Sequence, residues 1–105
     1  MKYKIWQLRD LDKSGYGLQH WDFAENHGFS LDDYELIYQG DLNSNNNIAK
    51  DSLEFLFDKF NLDCPDDFKG HFLCVSDIIE LNNIKYYCDG IGWKKLGKSI
   101  KYKRR

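Results

Sequence analysis

The chain has 105 residues, 42% of them hydrophobic and 16% aromatic, which suits one domain with a single modest core and excludes a disordered chain. No apolar run approaches the roughly 18 residues needed to span a membrane, and the start, MKYKIWQLRD, lacks an apolar run of signal-peptide length, so a cytoplasmic protein is expected. The net charge of −2 conceals an asymmetry: residues 94–105 hold seven cations and no acid, which leaves eight cations against all seventeen acids in residues 1–93, a net of −9.

Residues 2–8, KYKIWQL, alternate as a strand. Trp6 and Leu8 define the face expected to be buried, and Tyr3 and Ile5 a partly covered second face, which suits an interior strand. Residues 9–17, RDLDKSGYG, read as a polar, Gly-rich loop. Asp10, Asp12 and Ser14 alternate like calcium ligands, but Gly15 and the lack of a Glu at the twelfth position spoil the EF-hand pattern, so no metal is assigned there. Residues 19–27 read as a short helix stopped by Gly28, followed by a single turn at Asp32-Asp33. Residues 34–39, YELIYQ, are a predicted strand with Tyr34, Leu36 and Tyr38 on one face, ended by Gly40. NSNNN at 43–47 is a loop, because Asn favours turns and nothing apolar anchors it.

A helix is predicted for 49–60. Leu53, Leu56, Phe57 and Phe60 give the i, i+3, i+4, i+7 stripe of a core-facing helix, with Asp51, Glu54 and Asp58 outside. Pro65 ends this region by disfavouring helix in the residue before it. The stretch from Phe68 to Trp93 then reads as two strands about an Asn82-Asn83 turn. Ile78, Ile79 and Leu81 precede the turn, Ile84, Tyr86, Tyr87 and Cys88 follow it, and Asp89-Gly90 and Gly92 break the second strand. The order β, α, β, α, β, β gives a small α+β domain over residues 1–96: a mostly antiparallel sheet, two helices packed on one face of it, and a C-terminal β-hairpin. Residues 97–105 are a basic tail.

Sequence offers little chemistry. Cys64, Cys74 and Cys88 are an odd count without a CxxC pair, so three buried or half-buried thiols are expected and no disulfide. His71 and Cys74 are close enough in sequence to meet as a Cys–His pair, but a core thiol and a turn histidine are the simpler reading. His71, Cys74 and Cys88 offer three zinc ligands where a structural site wants four, so no metal and no cofactor are assigned. No glycine loop for phosphate and no nucleophile elbow is present.

The segments YKIWQLRD, DDYELIYQGDL, LEFLFDKFNLDCPDDFKGH and LCVSDIIELNNIKYYCDGIGW together resemble the YodL-like domain, over roughly residues 2–96. That resemblance implies a protein of bacterial conjugative transposons, plasmids or phages and a role in conflict with the host, and it carries no catalytic residues. Clustered acids can imitate the phosphates of DNA. The resulting expectation is a non-enzymatic counter-defence inhibitor, anti-CRISPR or anti-restriction, that binds a host nuclease through Asp32, Asp33, Glu35, Asp63, Asp66 and Asp67. The alternative is a nucleic-acid-binding accessory protein using Lys94, Lys95, Lys98, Lys101, Tyr102, Lys103, Arg104 and Arg105, with Tyr102 stacking on a base.

Overall fold

Alternation of branched and aromatic residues makes β1 (Lys2–Leu8) an interior strand, second from one edge, of a five-stranded antiparallel sheet. The computed structural model describes residues 1–43 and 48–97. The sheet order is β2-β1-β3-β4-β5, with β2 at Tyr34–Asp41, β3 at Ile78–Leu81, β4 at Ile84–Cys88 and β5 at Trp93–Leu96. Between β1 and β2 run two short helices, α1 (Leu11–Ser14) and α2 (Trp21–His27), and a 3-10 turn at Leu31–Asp33. Helix α3 (Ala49–Leu62) joins β2 to β3. This is the expected α+β class.

The helices cover both faces of the sheet, not one. Leu8, Ile78, Tyr87 and Leu96 pack with Tyr16, Trp21 and Phe29 on the α2 side. Tyr3, Ile5, Ile79 and Leu81 pack with Leu53, Leu56 and Phe60 of α3 on the other. Period-2 geometry forces this, because adjacent Ile78 and Ile79 point to opposite faces and both are fully buried. The Tyr3/Ile5 face of β1, expected to be the lesser, is therefore the one under α3, while Trp6 is only half-buried. Phe57, placed in the α3 stripe by spacing, is also half-buried and meets Trp93 edge-on at 6.0 Å.

Tyr38 does not share a face with Tyr34 and Leu36. Ile5 pairs with Tyr38 and Trp6 with Leu36, which leaves Ile37 as the extra residue of a β-bulge. The bulge turns Tyr38 over to the α3 side, where it meets the ring of Phe60 at 5.3 Å. Gly40 does not end β2, which continues to Asp41. The loop expected at 9–17 contains α1, capped by Asp10, whose Oδ1 accepts the N–H groups of Asp12 and Lys13 at 3.0 Å.

The hairpin stands as the sequence implies. Asn82 and Asn83 have φ of 47° and 72°, the left-handed pair of a primed turn. Past it, Gly90 and Gly92, both at φ 84°, turn the chain back into β5, a fifth strand at the end of the domain that the predicted element order does not include. The buried Leu96 is the apolar anchor of that strand. No helix among the described residues is long and apolar enough to cross a membrane.

Candidate functional site

Each predicted acidic cluster touches β2, the edge strand, through one residue: Glu35 lies on it and Asp67 bonds to its Tyr38. Asp32 and Glu35 are exposed at the start of β2, the edge strand. Asp33 is half-buried and accepts the Tyr16 hydroxyl at 2.7 Å, so it anchors the core at least as much as it presents charge. Asp63, Asp66 and Asp67 are exposed after α3, where Asp63 is the C-terminal cap. Asp67 accepts the hydroxyl of Tyr38, itself on β2, at 3.0 Å, which brings this connection against the same strand. Exposed Arg9, whose backbone N–H bonds the Asp33 carbonyl at 2.9 Å, interrupts the acidic run.

Two of the basic candidates lie at the opposite edge. Lys94 and Lys95 are exposed on β5. Lys98, Lys101, Tyr102, Lys103, Arg104 and Arg105 lie outside the described residues.

A third locus joins residues that sequence left apart. The segment 70–77 has no regular structure beyond a turn at Val75-Ser76, yet two side-chain amides pin it. Gln7, buried on β1, accepts the His71 N–H at 3.2 Å and donates to the His71 carbonyl at 2.9 Å. Asn61 on α3 accepts the Leu73 N–H at 2.7 Å and donates to the Leu73 carbonyl at 3.1 Å. Gly70 permits the close approach, because a Cβ there would collide with Gln7 Oε1 and with Ile37.

These clamps bring His71, Cys74 and Asp77 together, with one donor atom from each lying within 4.8 Å of the others. Asp77, not Cys88, is the third member. Its side chain is 1% exposed. Oδ2 accepts the Cys74 N–H at 2.9 Å and a Gln7 N–H at 3.1 Å, while Oδ1 has no hydrogen-bond partner and stands 3.9 Å from His71 Nε2. Burial holds the Asp77 carboxyl up at about 6, against the opposing pull of the Cys74 N–H, His71 and Gln7. Burial first, and then the Asp77 charge, pushes the Cys74 thiol up to about 12. The thiol leans on Asp77 Oδ2 at 3.7 Å and makes no hydrogen bond to His71. A thiol held protonated and turned to Asp77 rather than to the imidazole is not a Cys–His nucleophile.

All three cysteines are free, but Cys64 is exposed where a covered thiol was expected, because the chain from Leu62 to Cys64, at the end of α3, lies open to solvent. Burial lifts the Cys88 thiol to about 11. Sequence reading also missed a shallow groove of about 510 Å³ between Leu18, His20, Val75, Asp89 and Ile91. Leu18 and Ser76 beside it both take positive φ, 65° and 87°, and the Leu18 N–H donates to Ser76 Oγ at 3.0 Å.

No curated protein and no solved structure matches the chain. Residues 2–98 match the YodL-like domain, so nearly the whole chain is accounted for, and this protein belongs to the YodL-like domain family.

Proposed function

We propose that this protein is a non-enzymatic, protein-binding module of a mobile genetic element that inhibits a host defence nuclease. Its target is an RNA-guided CRISPR effector or a restriction enzyme, bound where that enzyme holds nucleic acid. The observation that supports this reading is that both acidic clusters border β2, with Glu35 exposed on that strand, Asp32 exposed just before it, and exposed Asp67 bonded to its Tyr38. A row of carboxylates on a rigid edge suits a groove built to hold phosphates. The same charges keep an edge strand from pairing with another chain. The protonated state of the Cys74 thiol favours binding over chemistry at the most chemical-looking locus.

A second reading rests on Lys94 and Lys95, which stand together on the other edge and lead into the basic tail. On this reading the tail binds nucleic acid.

Capture from a bacterial lysate, with and without nuclease treatment, separates the two. On the first reading a protein partner survives treatment, and added salt weakens its capture. Replacing Asp63, Asp66 and Asp67 with Asn also weakens capture, and deleting residues 97–105 does not. Loss of every partner on nuclease treatment, together with loss of binding on tail deletion, overturns the inhibitor and leaves the nucleic-acid binder. In that case affinity falls with salt at a slope of about −0.9 per phosphate contacted on duplex DNA.

A further inference from the structure

We propose that His71, Cys74 and Asp77 form a site for one zinc-class divalent cation, with three protein ligands and a fourth position open to solvent. The site is separate from the acidic edge of β2 and does not depend on the reading of that edge.

The first ground is the Asp77 carboxylate. Its side chain is 1% exposed, Oδ2 is satisfied by the N–H groups of Cys74 and Gln7, and Oδ1 has no hydrogen-bond partner. A buried, unpaired carboxylate oxygen is costly, and coordination to a cation is one of the few arrangements that removes the cost.

The second ground is the tautomer of His71. Gln7 Nε2 has two hydrogens, and these go to the His71 carbonyl at 2.9 Å and to Asp77 Oδ2 at 3.1 Å. The 3.2 Å approach of Gln7 Nε2 to His71 Nδ1 is therefore not a third donation. Nδ1 lies 2.7 Å from the Phe72 carbonyl, which can only accept. Nδ1 thus carries a proton, so in the neutral ring Nε2 is the nitrogen left to bind a metal, and it stands 3.9 Å from Asp77 Oδ1. The two atoms face each other across a gap that a cation can bridge. A backbone carbonyl that fixes the remaining ring N–H is the usual support of a metal-bound histidine.

The third ground is spacing. Zinc bonded at about 2.0–2.3 Å in a tetrahedron sets its ligand atoms about 3.3–3.8 Å apart. Cys74 Sγ is 3.7 Å from Asp77 Oδ2, His71 Nε2 is 3.9 Å from Oδ1, and the three donors lie within 4.8 Å of one another. A contraction of at most about 1–1.5 Å closes the set onto an ion. The Gln7 and Asn61 clamps already hold the segment that bears all three ligands. Nitrogen, sulfur and a single carboxylate are a borderline set that favours Zn²⁺ or Co²⁺ and discriminates against Mg²⁺ and Ca²⁺. His71, with 39% of its side chain exposed, gives the ion access. On binding, the Cys74 S–H bond ionises, its proton passes to solvent, and His71 Nε2 contributes its lone pair.

Cobalt titration of the reduced, chelator-stripped full chain tests the site. The expected result is one equivalent of Co²⁺ bound, with a thiolate-to-cobalt charge-transfer band and the visible bands of a four-coordinate ion. Zn²⁺ should abolish these bands, and Mg²⁺ and Ca²⁺ should leave them unchanged. Cys74→Ser should remove the charge-transfer band, while Cys64→Ser, which alters the exposed thiol, should keep it. His71→Ala and Asp77→Asn should each weaken Co²⁺ binding by about tenfold or more. Asp77→Asn keeps an acceptor for Cys74 and Gln7, and His71→Ala alters an exposed side chain, so both should retain the wild-type far-ultraviolet circular dichroism spectrum. Absence of the band in the wild type, or a band that survives Cys74→Ser, overturns the proposal. So does wild-type affinity in both His71→Ala and Asp77→Asn, which would reduce the cluster to an ion pair.

Discussion

Helix α3 and the segment 70–77 both contribute to the core on one face of the sheet, but different forces order them. Helix α3 is held by an apolar stripe: Leu53, Leu56 and Phe60 are fully buried against Tyr3, Ile5, Ile79 and Leu81. The segment 70–77 gives that core only Leu73. Its order comes from polar groups, with Gln7 and Asn61 each satisfying both the N–H and the carbonyl of one residue. Hydrophobic burial is non-directional and tolerates repacking, whereas a two-point amide clamp fixes one residue in one place. The first arrangement builds a body, and the second positions a site.

The largest effect should come from the apolar side. Phe60 is fully buried and meets Tyr3, Tyr38 and Phe68 ring to ring. Phe60→Ala should lower unfolding free energy by about 3–5 kcal/mol in denaturant titration. Phe57→Ala, at a half-buried position, should cost about 1–2 kcal/mol. Equal losses at the two would break the assignment of the α3 face.

The polar side should respond next. Gln7→Leu keeps the side chain's approximate size but strips both hydrogen bonds from His71 and one donor from Asp77. The expected cost is about 2–3 kcal/mol, since unmade buried hydrogen bonds outweigh the gain in apolar area. A neutral or stabilising Gln7→Leu would show that apolar packing alone holds this segment. Asn61→Ala should cost about 1–2 kcal/mol by equilibrium unfolding, with the change confined to the Leu73 clamp.

The same contrast explains what could be read in the sequence. The α3 stripe, the Gly28 stop and the Asn82-Asn83 hairpin follow from neighbours within a few positions, and all three stand in the structure. The bulge at Ile37 could not be read, because it arises from pairing with β1, and neither could β5, four residues long with two cations between Trp93 and Leu96. His71 and Cys74 drew notice as residue types. Asp77 did not, because its importance depends on Gln7, 70 residues away. One signal was present: Gln7 follows Tyr3 and Ile5 on a single strand face, and a polar residue in a buried row is a sign of a built hydrogen-bond network. The acidic clusters were legible as charge, but the structural use of Asp33 by Tyr16 was not.

The smallest expected effect concerns the turn. Asn83→Ala places a side chain less tolerant of the left-handed region at φ 72° and should cost about 0.5–1 kcal/mol in a melt, with the 71–77 segment unaffected. A coupled loss of order at Leu73 would mean that hairpin and segment are one unit.

Amide hydrogen exchange tests the central claim most directly, that side-chain clamps make an irregular segment as firm as the sheet. In the native protein the N–H groups of His71, Leu73 and Cys74, bonded to Gln7, Asn61 and Asp77, should exchange as slowly as those of β3. In Gln7→Leu the His71 amide should speed up by about tenfold or more while β3 stays protected, and in Asn61→Ala the Leu73 amide should do the same. Rapid exchange of all three in the unaltered protein would contradict the account.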